Sequence, residues 1–103
     1  MKPLNDYRGV AVRLTTERLA HILGHPEMFD MLPAMERALA APELVVRSRT
    51  DATVLLSYQF LRKTRLGDKW LCVVVKYVAE DVFVLTAYLT DRPKKGEKVW
   101  PKE

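Results

Sequence analysis

Residues 70–90 read Trp70-Leu71-Cys72-Val73-Val74-Val75-Lys76-Tyr77-Val78-Ala79-Glu80-Asp81-Val82-Phe83-Val84-Leu85-Thr86-Ala87-Tyr88-Leu89-Thr90. Both arms are rich in Val, Tyr, Phe and Thr, which suit a pleated, half-buried surface. Ala79-Glu80-Asp81 between them is expected to be a three-residue turn. That turn pairs Val78 with Val82, Val74 with Thr86 and Trp70 with Thr90. Opposed residues of an antiparallel pair share a face. One face is then wholly apolar: Leu71, Val73, Val75, Phe83, Leu85, Ala87 and Leu89. The other carries Lys76, Thr86, Tyr88 and Thr90. A slip of one residue would mix the two sets. The apolar face calls for helices over it.

The rest of the chain supplies them. Its 103 residues make one domain, 1–103, with 49% apolar residues, enough for one core. The net charge of +4 favours an anionic partner such as nucleic acid. The one cysteine, Cys72, excludes an internal disulfide and a multi-cysteine zinc site. Mid-strand, it fits a small packed residue better than a nucleophile. With no signal peptide and no membrane span in view, the expected location is cytoplasmic.

Residues 1–7 form a polar lead-in and residues 92–103 a polar tail, both expected to be flexible or loosely ordered. Gly9 to Leu14 suits a short edge strand. Thr15 or Thr16 caps a helix carrying Leu19, Ile22 and Leu23 and ending at Gly24. Pro26 opens a short helical piece, and Met35, Ala38 and Leu39 continue an apolar stripe that Pro42 ends. Strands are expected over 44–50 and 53–61. If Arg49 pairs with Thr53, Arg47, Arg49, Leu55, Ser57 and Gln59 share the open face, while Val46, Val54, Leu56 and Tyr58 join the core. Arg62 to Lys69 is a basic loop. The expected fold is α+β, with N-terminal helices packed on one face of a four-stranded antiparallel sheet.

The candidate chemistry is polar and basic. His21 and His25, four apart on a helix and off its apolar stripe, suit general acid–base work, because imidazole titrates near working pH. A surface role fits them equally. A metal reading needs Glu27 as third ligand, and the sequence holds no convincing metal set. Lys76 beside the Thr86 and Tyr88 hydroxyls suits charge stabilisation on a phosphate. An ordinary half-exposed sheet face fits that group equally. Arg47 and Arg49 could clamp a phosphate from the open face, although two solvated residues on an exposed strand fit them better. Arg62, Lys63 and Arg65, with tail lysines including Lys94 and Lys95, would follow a phosphate backbone, though solvated loops look the same.

Taken together, several segments resemble a known family. Arg13-Leu14-Thr15 with Glu17-Arg18, His21-Ile22 and His25-Pro26-Glu27-Met28 is similar to its N-terminal signature. Gly67 to Lys76, Phe83 to Asp91, and Lys95-Gly96-Glu97 with Trp100 are similar to its later segments. The family is the phage-associated branch of the barnase–EndoU–colicin–RelE-like nucleases. The resemblance implies a barnase- or RelE-like fold and metal-independent cleavage of RNA by attack of the ribose 2′-hydroxyl, with no cofactor. On matched positions it implies His21, His25, Lys76, Thr86 and Tyr88 as the catalytic set. It also implies a toxin-like or mobile-element role, in which an antitoxin or immunity protein would be a partner. The plain Leu55, Ser57 and Gln59 face favours the competing expectation, a non-catalytic module that binds RNA or protein.

Overall fold

The computed structural model describes residues 2–102; Met1 and Glu103, at the outer ends of the lead-in and the tail, lie outside the described residues. The chain forms strands β1 (Lys2–Asn5) and β2 (Ala11–Leu14), helix α1 (Thr16–Leu23), a 3₁₀ turn (Pro26–Met28) and helix α2 (Leu32–Ala40). Strands β3 (Leu44–Arg47), β4 (Val54–Thr64), β5 (Gly67–Val78), β6 (Asp81–Thr90) and β7 (Glu97–Trp100) follow. All seven strands form one sheet in the order β1-β2-β6-β5-β4-β3-β7. The β2–β6 contact is parallel and the other pairings are antiparallel.

This corrects the expected fold: the sheet has seven mixed strands, not four antiparallel ones. The meander β3–β6 is present, but it is the centre of a wider sheet. The additions come from segments that read as lead-in and tail. Lys2-Pro3-Leu4-Asn5 pairs with β2, and Glu97-Lys98-Val99-Trp100 pairs with β3. Both are edge strands of four residues, where proline and charged side chains are tolerated. The sheet also curls. Tyr7, just after β1, lies with its ring centroid 5.4 Å from that of Trp100 at the opposite edge. Asp6 pins the intervening loop, accepting from the N–H groups of Arg8 and Val10 and from the Tyr77 hydroxyl at 2.7 Å.

Thr15 caps α1, accepting from the Arg18 N–H at 3.0 Å, and Pro33 sits in the first turn of α2, where its missing donor costs nothing. The helices cover one sheet face. Ile22, Met28, Met35, Ala38 and Leu39 pack there against Leu71, Val73, Val75, Val84 and Ala87. Leu71 to Val75 are buried without a break, so β5 is covered on both faces. The second face has its own cluster: Val46, Val54, Leu56, Tyr58, Cys72 and Val74.

The central hairpin keeps the expected pairing from Trp70–Thr90 to Val74–Thr86. A bulge then shifts it, so Val75 faces Val84 and Val78 faces Asp81. Leu85 is the extra residue, and the turn shrinks to Ala79-Glu80. Val82 and Val84 therefore face the helices in place of Phe83 and Leu85. The β3–β4 register is the expected one, with Arg47 opposite Leu55, but its faces are reversed. Leu56 faces Val74 and Tyr58 faces Cys72, which puts that set on the helix-free face. Leu55, Ser57 and Gln59 lie on the helix-covered face, and the Gln59 Oε1 is buried without a hydrogen-bond partner among the described residues.

Candidate anion-binding cleft

The helix-free face is crossed by a strap. β6 ends at Thr90 beside Trp70, and β7 starts at Glu97 beside Arg47, so residues 91–96 must pass over β5, β4 and β3. Asp91 at the start of the strap is paired with Lys69. In the middle, the Lys94 N–H donates to the Tyr58 hydroxyl at 2.9 Å. At the far end Gly96 lies flat on β3. A Cβ there would sit 2.5 Å from the Arg47 carbonyl oxygen and 2.7 Å from Val46 Cγ1, so only glycine fits without displacement.

Between strap and sheet lies a cleft of about 360 Å³. Its floor is apolar: Val54, Leu56 and Val74. Its walls carry three cations, Arg49, Lys94 and Lys95, and four hydroxyls, Ser48, Thr50, Thr86 and Tyr88. Among the described residues no carboxylate lines it. Among the described residues, none of these three cations forms an ion pair. Unpaired cations beside hydroxyl donors over an apolar floor suit an anion attached to a partly apolar body. Burial raises the Tyr88 hydroxyl above its ordinary pKa, so it stays protonated. Burial likewise pushes Tyr58 up to about 12 and the Cys72 thiol up to about 11. Cys72 beneath the cleft is therefore a neutral packing residue and not a thiolate.

Of the expected catalytic residues, Thr86 and Tyr88 line this cleft. Lys76, opposite Phe83 in the shifted register, donates to Asp51 Oδ2 at 2.6 Å. That bond, with two more from Thr53, holds the Asp51 carboxyl well below the usual carboxylate range, so Lys76 is committed to a carboxylate. His21 and His25 lie elsewhere. His21 is exposed near the end of α1 and His25 is exposed just before the 3₁₀ turn, with ring centroids 5.8 Å apart. They belong to the helix layer, and the sheet stands between them and Thr86. The described residues hold no group of three His, Cys, Asp or Glu side chains suited to a metal, so Glu27 does not complete one with the histidines.

The expected phosphate clamp also divides. Arg49 lines the cleft, whereas Arg47 is bound to Glu97 at 2.9 Å and to the Ala52 carbonyl. Arg62, Lys63 and Arg65 are exposed at the opposite end of the sheet, where β4 and β5 run on as a two-stranded arm in place of the expected loop. Gly67, with φ of +93°, allows the tight turn at its tip. Arg62 lies over Phe60, giving the arm a basic surface beside an aromatic ring, and Arg65 lies over Phe29, which follows the 3₁₀ turn. Sequence reasoning missed Ser48 and Thr50, and it took Lys94 and Lys95 only as members of a basic tail. The signal for the lysines is Gly96 beside them, a residue suited to close backbone approach.

Comparison of the chain with protein-family models, with curated proteins and with solved structures yields no match. Among the described residues no helix is long and apolar enough to cross a membrane.

Proposed function

We propose that this protein is an RNA-binding domain that grips phosphate in the cleft beneath the strap. What supports it is the cleft's composition: among the described residues, three cations that form no ion pair, four hydroxyls and no carboxylate. The basic and aromatic arm at the other end of the sheet offers a second surface on which bases can stack and phosphates can pair. In this proposal His21 and His25 take no part, and Lys76 serves structure through Asp51.

Binding of mixed single-stranded RNA oligonucleotides, followed by calorimetry from low to moderate salt, tests the proposal. Each phosphate neutralised contributes about −0.7 to the slope of log K against log salt, so binding should weaken as salt rises. Arg49→Gln, Lys94→Gln and Lys95→Gln should each weaken binding and flatten the slope, while the His21→Ala/His25→Ala double variant should bind as the native chain does. Absence of binding at low salt, or indifference to salt, would remove nucleic acid as the partner.

A second reading, a metal-independent endoribonuclease, is favoured by Thr86 and Tyr88 standing beside the three cations, where charge on a pentacovalent phosphate would be neutralised. It predicts cleavage of the same RNA in EDTA, leaving a 2′,3′-cyclic phosphate, and no cleavage where the cut site carries 2′-deoxyribose. Intact RNA after binding leaves the non-catalytic function.

A further inference from the structure

The shape of the cleft narrows its ligand. The strap crosses the helix-free face over Tyr58, to which Lys94 is bound. Tyr58 in turn packs edge-on against Trp70, their ring centroids 6.4 Å apart. In the β4–β5 ladder, Leu56–Val74 lies on the cleft side of the strap and Phe60–Trp70 on the arm side. A polymer lying in the cleft therefore meets a wall and cannot run straight through to the arm. The volume of about 360 Å³ is near the lower end of the range for small-molecule pockets, about 300–1,000 Å³, which suits one nucleotide-sized group.

Charge points the same way. An internal phosphodiester carries a single negative charge. A terminal phosphomonoester carries about −1.5 to −2 at neutral pH and presents three acceptor oxygens. Arg49 lines the cleft from the β3–β4 turn and Lys94 and Lys95 from the strap, while the Tyr88 hydroxyl lines it from β6. Three cations and a hydroxyl lining one cleft match three acceptor oxygens of a dianion better than the two free oxygens of a diester.

From this geometry, walled by the strap on its arm side and lined by no carboxylate among the described residues, we infer that the cleft receives a terminal phosphomonoester of an RNA chain, an inference that rests on the proposed RNA binding. The apolar floor of Val54, Leu56 and Val74 lies under the sugar or base of the end nucleotide.

The test is calorimetric titration of the full chain with four forms of one short RNA: hydroxyl at both ends, 5′-monophosphate, 3′-monophosphate, and circular. One of the two phosphate-ended forms should bind about tenfold more tightly than the hydroxyl-ended and circular forms, as expected from one added charge-assisted contact set. Which of the two gains identifies the end that is held. In the Arg49→Gln/Lys94→Gln/Lys95→Gln variant, with its melting temperature checked against the native chain, the ratio should fall to about one by loss of those contacts. Equal binding of all four forms by the native chain overturns the end inference and leaves RNA binding intact. A ratio that persists in the triple variant overturns the assignment to this cleft. Failure of every form to bind at low salt overturns the underlying RNA proposal itself.

Discussion

Val75→Asp should unfold the domain. Val75 is fully buried at the centre of β5, on the helix-covered face, with Leu55 and Val84 on either side of it in the sheet. A carboxylate there has no partner, and burial of an unpaired charge belongs to the small class of substitutions that cost about 4–5 kcal/mol or more. Domains of this size are stable by only about 5–15 kcal/mol. Each kcal/mol lost corresponds to about 4–8 °C in Tm, so a fall of roughly 20 °C or more is expected. Val78→Asp is the matched control. Val78 lies on the same strand but is 40% exposed, and its replacement should cost about 1 kcal/mol or less. Thermal melting followed by circular dichroism checks both. A soluble Val75→Asp protein that melts with the native chain would show that this face is not the core.

Gly96→Val should detach the strap. The position has no room for a Cβ, because the nearest atoms at 2.5 and 2.7 Å include the backbone carbonyl of Arg47, which cannot rotate aside. Relief requires Gly96 and the start of β7 to lift from β3. Overpacking of this kind costs about 1–3 kcal/mol, and here it also moves Lys94 and Lys95 away from Arg49. A Tm about 5–15 °C lower is expected, together with RNA binding weaker by about tenfold or more, as phosphate contacts are lost. Native affinity in a Gly96→Val protein would mean that the strap is not a wall of the binding site.

The parts of the fold legible in the sequence are those where alternation has one meaning. Trp70 to Val74 against Thr86 to Thr90 could be paired from pattern alone, because Thr86, Tyr88 and Thr90 mark one face. Val82-Phe83-Val84-Leu85 is apolar at every position, so nothing marks Leu85 as the bulged residue, and the turn and faces beyond it were misassigned. β4 poses the same difficulty. Val54, Leu56 and Tyr58 compete with Leu55 for the core, and both sets are buried, because helices cover one face and the strap shields part of the other. Only the β4–β5 register, which follows from the turn joining Thr64 to Gly67, decides which face is which.

The edge strands were illegible for a different reason. Lys2-Pro3-Leu4-Asn5 holds no strong strand former and Glu97-Lys98-Val99-Trp100 only two, so both become strands by tertiary pairing, β1 with β2 and β7 with β3. Without β7 in view the strap could not be foreseen, and without the strap Lys94 and Lys95 read as a solvated tail. Arg49, Thr86 and Tyr88 were legible as polar residues of a sheet face. His21 and His25 satisfied the chemistry of an acid–base pair, but spacing on a helix carries no information about which side of a sheet that helix covers.

The central claim is that RNA phosphate is held in the cleft between the strap and the helix-free face. The most direct measurement is a titration of isotope-labelled protein with short single-stranded RNA, followed by amide chemical shifts in NMR. The largest changes should fall at Ser48, Arg49, Thr50, Thr86, Tyr88, Lys94 and Lys95, with α1 unmoved. Changes centred on His21 and His25, or confined to the helix-covered face, would contradict the claim.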